Sequence, residues 1–200
     1  MIELRRASAK AIKYACLHFH YARTVPVSLY SYNVYENNEW CGVIIYSSGA
    51  NNNIACPFEL VQGEVLELVR VALNGKQSHT SECVAASLKQ LHKDAPQIKI
   101  VVSYADTGQQ HLGIIYQATN WIYLGRREQS QGYLIVHGKK THARGLVSKY
   151  GTSSTEWLKE HVDPNVEYIP FTGKHKYIFC FPRKLRREWE KKALPYPKAN

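Results

Sequence analysis

The chain has 200 residues and a mass of 22.9 kDa, and its 44% apolar, 12% aromatic and 21% charged composition excludes a mostly disordered protein. Twenty-six Lys and Arg against 16 Asp and Glu give a formal net charge of +10 and a pI near 9.4, which favours a polyanionic partner, nucleic acid first. The longest apolar runs, such as Cys41 to Tyr46, are too short to span a bilayer and no signal-peptide pattern opens the chain, so a soluble cytoplasmic protein without a membrane partner is expected.

Ile2 to Leu17 mixes Leu4, Ile12 and Leu17 with Arg5, Arg6, Lys10 and Lys13, as in a strand or short helix feeding a basic helical turn. Val27 to Tyr35 and Trp40 to Tyr46 flank the polar turn Glu36-Asn-Asn-Glu39 and predict a hairpin. Ser47 to Asn53 is polar and predicted as a loop. Val65 to Leu73 is the next strand, with Glu67 and Arg70 as its charges; Asn74-Gly75 ends it, and Ser78 or Thr80 can cap a helix reaching about His92. Ile98 to Tyr104 is a continuous apolar strand of the kind covered on both faces. After the loop Ala105 to Gln110, the spacing predicts a short helix from His111 to about Thr119. Strands at Trp121 to Leu124 and Tyr133 to Val136 follow, around a polar turn from Arg126 to Gln131.

This order implies an α/β fold with a mixed central sheet flanked by helices, in one domain spanning residues 1–200. From about Lys139 the chain reads as a basic extension, with a helix at Ser153 to His161, a strand at Tyr177 to Phe181 and a charge-dense segment from Pro182 to Lys192. Five cysteines, Cys16, Cys41, Cys56, Cys83 and Cys180, are odd in number and form no C-x-x-C pair, so reduced thiols are expected.

Several groups can carry chemistry, each with a structural alternative. His18 and His20 share a face if extended and could ligate a metal given a further ligand, but two histidines at this spacing are more often hydrogen-bonded surface or packing groups. Asp106 stands at the C-terminal edge of a buried strand, where open α/β sheets place ligands, or caps the helix that follows. Arg70, within an apolar strand, must pair with Glu67 or another carboxylate, or meet an anionic substrate group. The loop Leu73 to Thr80, with Lys76, joins a strand to a helix N-terminus suited to phosphate, or is a simple connection. In the tail from Lys174 to Lys192, cations alternate with Tyr177, Phe179, Phe181 and Trp189, which suits phosphates and unstacked bases or else a solvated helix face.

The run Ser103-Tyr-Ala-Asp106, His111-x-Gly113 and Ile115-Tyr-Gln-Ala-Thr-Asn-Trp-x-Tyr-x-Gly125, with Glu67-Leu-Val-Arg70 and His20-Tyr21 upstream, resembles the Mom DNA-modification proteins of Mu-like phages. That family resembles the Gcn5-related N-acyltransferases in fold. The resemblance covers roughly His18 to Gly125. It implies an enzyme of a phage or prophage that converts adenine in double-stranded DNA to its carbamoylmethyl (acetamido) derivative and protects the genome from restriction. It also implies functional roles for His20, Tyr21, Arg70, Ser78, Asp106, Tyr116 and Gln117, and an iron held by His20 and Asp106. The acyltransferase pyrophosphate loop usually has the form Gln/Arg-x-x-Gly-x-Gly/Ala; here it reads Asn74-Gly-Lys-Gln-Ser78, with a single glycine, which departs from an ordinary acyl-coenzyme A grip.

Direct acetyl transfer joins the adenine nitrogen to a carbonyl carbon, whereas the family's product joins it to a methylene bearing an amide. The expected donor is therefore an acyl-coenzyme A or a glycine-derived activated group, the latter carried by a polyanion such as an aminoacyl-tRNA. On this reading Asp106 accepts a proton from the amino group, Tyr21 or Tyr116 orients or protonates the leaving group, and His20 assists. Arg70, Lys76 and Ser78 hold the donor, while Gln117, His111 and Asn120 face the flipped base. Two rivals remain, an N-acyltransferase for a small-molecule or protein amine and a non-catalytic DNA-binding regulator; a monomer or homodimer is compatible with all three.

Overall fold

The computed structural model describes residues 1–49, 53–127, 132–170 and 173–198, so the middle of the predicted loop at 47–53 and most of the predicted turn at 126–131 lie outside the described residues. In chain order the elements are β1 (Ile2–Arg6), α1 (Ala9–His18), β2 (Tyr30–Glu36), β3 (Glu39–Ser47), β4 (Val65–Leu73), α2 (Thr80–Asp94) and β5 (Ile100–Asp106). They continue with α3 (Ile114–Gln117), β6 (Ile122–Arg127), β7 (Gly132–Val136), β8 (Lys139–His142), α4 (Ala143–Tyr150), α5 (Thr155–His161), β9 (Glu167–Pro170), β10 (Lys174–Cys180) and α6 (Arg183–Glu190). The chain divides into two compact units: Met1–Ala105, Leu112–Gly125 and Lys176–Asn200 form the first, Asp106–His111 and Arg126–His175 the second.

The first unit is built on a seven-stranded sheet of order β1-β2-β3-β4-β5-β10-β6. β1 to β4 pair antiparallel and β4 pairs parallel to β5, which makes the sheet mixed, as expected. The predicted hairpin is β2–β3, and its turn is tighter than the polar tetrapeptide suggested. Asn37 and Asn38 alone close it at φ 51° and 68°, left-handed values that asparagine tolerates and that match strand twist.

Alternation along the strands explains the two apolar layers. On β3, Ile44 and Tyr46 pack with Cys83, Val84, Leu88 and Leu91 of α2, while Val43 and Ile45 pack with Ile12, Ala15 and Cys16 of α1. Val101 of β5 joins the α2 layer, and Ile100 and Val102 join a cluster with Phe58, Ile178 and, from α6, Leu185 and Trp189. The apolar run in β5 is thus covered on both faces, as its composition required. All five cysteines are free.

The sequence reading of the tail needs correction here. Tyr177 and Ile178 are fully buried because β10 inserts between β5 and β6, and Phe179 and Phe181 pack against the same core. Tyr177, Phe179 and Phe181 are core groups, and Trp189 stacks edge-on against Phe58, so this series is no open platform for bases. Ser78 and Thr80 do not cap α2 either: the cap position is His79, and no side-chain bond is made there.

The second unit packs the three-stranded sheet β8-β7-β9 with Leu134, Val136, Leu146, Leu158 and Val166 in its core. Ser154 caps α5, and Asp163 accepts the backbone N–H groups of His137 (2.6 Å) and Asn165 (2.9 Å), which holds its carboxyl below the ordinary range.

Candidate active site

β4 and β5 pair over only three residues, from Val65 opposite Ile100 to Glu67 opposite Val102. Beyond this point the ladder stops while both strands continue, so β4 backbone groups facing β5 lose their sheet partners. On its other side β4 carries a bulge: Arg70 pairs with Ile45 and Leu68 with Tyr46, leaving Val69 as the extra residue. Such an insertion bends the strand and re-aims the side chains after it.

One of the freed groups, the Leu68 carbonyl, is met by a side chain. Ser103 Oγ of β5 lies 2.9 Å from the Leu68 oxygen and 2.8 Å from the Tyr116 hydroxyl of α3. Serine has one hydroxyl hydrogen and a carbonyl can only accept; with the hydrogen on Leu68, the neutral Tyr116 hydroxyl donates to Ser103. Burial pushes the Tyr116 pKa up to about 12, against the opposing Ser103 hydrogen bond and with help from Glu67 and Tyr21 nearby. At neutral pH Tyr116 therefore keeps its proton and acts as a donor, never as a base.

The placement of Tyr116 follows from local chemistry. The predicted helix at His111 to Thr119 shrinks to Ile114–Gln117, because Gly113 opens it at φ 73° and Asn120 follows it at φ 59°. A Cβ at Gly113 would stand 2.5 Å from Tyr177 Cε2 and 3.0 Å from Tyr116 Cδ2, so only glycine fits. The Tyr177 hydroxyl donates to the Leu112 carbonyl at 2.5 Å, and Tyr116 stacks between Trp121 (5.0 Å) and Tyr177 (5.1 Å).

A second cluster joins β4 to the segment after α1. Arg70 Nη1 lies 2.9 Å from His20 Nδ1 and 3.3 Å from Nε2, and Nη2 reaches the Thr24 hydroxyl (3.2 Å) and carbonyl (3.4 Å). The Ala22 N–H also donates to His20 Nδ1, at 3.1 Å, which makes that nitrogen the acceptor of a neutral ring with its hydrogen on Nε2. Arg70 Nε is buried with no hydrogen-bond partner among the described residues, an N–H whose bond an acceptor oxygen can complete. Tyr21, exposed beside the His20 ring at 4.3 Å, completes the cluster.

The expected iron does not fit this donor set. His20 Nδ1 is already an acceptor for Ala22, and the adjacent guanidinium opposes a cation. Among the described residues, no group of three or more His, Cys, Asp and Glu is placed to hold a metal ion. The structure thus gives no support to the pairing of His20 with Asp106 as iron ligands.

In the loop before α2, two of the groups expected to meet a phosphate have acidic partners. The Ser78 N–H, the donor that a phosphate would use, gives its hydrogen bond to Glu36 at 2.6 Å, and this bond holds the Glu36 carboxyl below its ordinary pKa. Lys76 lies 3.8 Å from Glu39. Two acidic side chains of the β2–β3 hairpin thus occupy the partners expected for a cofactor.

The remaining predicted groups have other surroundings. Asp106, in the second unit with His111, takes the capping role: its Oδ1 accepts the Gly108 N–H at 2.9 Å, while its carbonyl accepts the His111 N–H at 3.1 Å. The Gln117 amide nitrogen is spent on the carbonyl of Leu112 (3.0 Å), with the Tyr177 hydroxyl at 3.3 Å and the Pro197 carbonyl at 3.4 Å, so it ties α3 to the chain end instead of facing a base. Asn120 lines a groove of about 380 Å³ with Leu88, Lys89, His92, Phe179 and Phe181, and its carbonyl accepts from Arg186 at 2.9 Å. Ser103 has a role that no local pattern in the sequence assigns, because its partners come from β4 and α3.

The model of the Mom protein family matches residues 1–198. Sequence comparison with curated proteins finds no significant match. Among solved structures, a Bacillus subtilis acetyltransferase in complex with coenzyme A aligns at TM-score 0.51 with 12% identity, covering 90% of this chain and 98% of that one. A probable acetyltransferase from Staphylococcus epidermidis aligns at 0.53 with 6% identity, covering 91% and 100%. A variant spermidine N-acetyltransferase from Vibrio cholerae aligns at 0.53 with 6% identity, covering 94% and 98%. The expected acyltransferase-like fold is thereby established.

Proposed function

Because this chain belongs to the Mom protein family, we propose that it is a transferase that converts the exocyclic amino group of adenine in duplex DNA to its carbamoylmethyl derivative, shielding phage DNA from host restriction. The observation that carries this reading is the Tyr116 hydroxyl, kept protonated where β4 and β5 part. A transfer to a weakly basic amine needs such a group: the amine nitrogen bonds to the donor carbon, the donor's bond to its leaving group breaks, and Tyr116, its hydroxyl turned from Ser103 to the leaving group, supplies that group's proton. The amine proton passes to solvent, and Arg70 holds the donor through its unmade Nε–H bond.

The donor follows from atom balance. A glycyl group joined to adenine nitrogen and the carbamoylmethyl product are isomers, so rearrangement completes the product without an oxidant. An acetyl group lacks the amide nitrogen. Glu36 at Ser78 also argues against a diphosphate held at that loop, which favours a glycyl donor on a carrier such as tRNA over an acyl-coenzyme A, although a neighbour of the same fold binds coenzyme A. The net charge of +10 suits both polyanions and opposes a polyamine acceptor, the substrate named for another neighbour.

Nucleoside mass spectrometry of DNA from cells producing the chain tests this, with spermidine and protein lysines analysed alongside. An adenine adduct is expected; unmodified adenine with an acylated amine elsewhere would replace this reading with the small-amine one.

A further inference from the structure

Between Glu3 and Glu36 the sequence holds no acidic residue, while Arg5, Arg6, Lys10, Lys13 and Arg23 fall within it. Arg5 is paired with Glu3; Lys10 and Lys13 lie exposed on α1, beside an exposed Tyr14 that stacks on His18 at 4.3 Å. This helix runs into the His20 to Leu29 segment, whose Tyr21, Val25, Val27 and Leu29 are all exposed, Val27 to 73%. Solvent-facing apolar groups at this density mark a contact surface.

The segment is framed at both ends. Arg70 holds His20 and Thr24 from behind, the Arg23 N–H donates to the His20 carbonyl at 3.1 Å, and the Leu29 N–H donates to Tyr46 at 2.9 Å. Val25-Pro26-Val27 is thus an apolar tip on a fixed base, and the base begins at Tyr21, which is near enough to Tyr116 to oppose its ionisation.

We propose that α1 and the His20 to Leu29 segment are the duplex-DNA surface of this protein, with Lys10, Lys13 and Arg23 on phosphates and the Val25-Pro26-Val27 tip wedged into the base stack to extrude the adenine. The proposal rests on the adenine-modifying reading. Its occupant is set by charge: a segment that carries cations and no acidic residue meets a polyanion, and an apolar wedge between base steps helps to unstack them. Arg70 couples the wedge to the site, since one side chain anchors the segment's base and offers its unmade bond to the donor.

The test uses the full chain and a duplex with 2-aminopurine in place of the target adenine, read by fluorescence, with affinity measured separately by anisotropy. Wild-type protein should raise the fluorescence on binding. Val25→Ser with Val27→Ser should cut that rise by ~10-fold while leaving melting temperature unchanged and affinity within about threefold. Val27→Phe should keep the rise. Lys10→Gln with Lys13→Gln should weaken binding and lower the salt slope by about one per lysine. An unchanged rise in the double serine variant overturns the wedge and leaves the DNA substrate standing. A wild-type chain that binds no duplex at low salt overturns the DNA substrate itself.

Discussion

Gly113→Ala should uncouple α3 from the core. The residue opens α3 at φ 73° and ψ 33°, where an added Cβ costs ~1–2 kcal/mol. That Cβ would also stand 2.5 and 2.8 Å from Tyr177 carbons and 3.0 Å from Tyr116, and both rings are locked by Trp121 and Tyr123. Overpacking of this kind adds ~1–3 kcal/mol. For a chain of this size the sum lowers the melting temperature by roughly 5–15 °C. Gly75→Ala is the internal control: its φ is 83° with no atom within 4 Å of the added Cβ, so it bears only the backbone term and its melting temperature should fall by roughly 2–8 °C. Thermal melts of the two variants side by side decide the matter, and equal falls would refute the packing account of how Tyr116 is placed.

Tyr116→Phe should melt within a few degrees of wild type, because Ser103 still donates to Leu68 and the ring contacts survive, at a cost of ~0.5–1.5 kcal/mol; a collapse of the fold would mean that the hydroxyl is a structural keystone. Arg70→Met removes the contacts to His20 and Thr24, and hydrogen exchange at Ala22 and Arg23 should speed up by at least about tenfold; unchanged protection would show that the segment stands without Arg70. Glu36→Gln should destabilise at neutral pH. Because the folded Glu36 pKa is lowered by the Ser78 bond, its contribution is present above the unfolded value and is lost as pH falls through the folded one, so the gap in melting temperature should shrink as pH falls below the unfolded glutamate value and close once the carboxyl is protonated; a gap independent of pH would contradict the charge argument.

Long apolar runs were readable in the sequence because burial alone dictates them. Val65 to Leu73 is a strand at its predicted bounds, and the hairpin, α2 and β5 lie close to theirs. β10 was expected as a strand at Tyr177 to Phe181, but its place between β5 and β6 is a long-range choice with no local signal, so its aromatics read as a nucleic-acid platform when they pack in the core. At the site, Tyr116 and Arg70 could be picked from residue type and the motif. Ser103 could not, since its role depends on β4 and β5 parting after Glu67, a feature of tertiary register. The acidic partner of the loop was hidden for a similar reason: Glu36 is 42 residues away from Ser78 in sequence, and no spacing rule could place its carboxylate on that N–H.

The most direct test compares nucleosides in DNA from cells producing equal amounts of wild-type chain or the Tyr116→Phe variant. Loss of a general acid typically lowers rate by ~10²–10⁴-fold, so the adenine adduct should be abundant with wild type and reduced to about a hundredth or less with the variant. Equal adduct in both, or no adduct with wild type, would contradict the account.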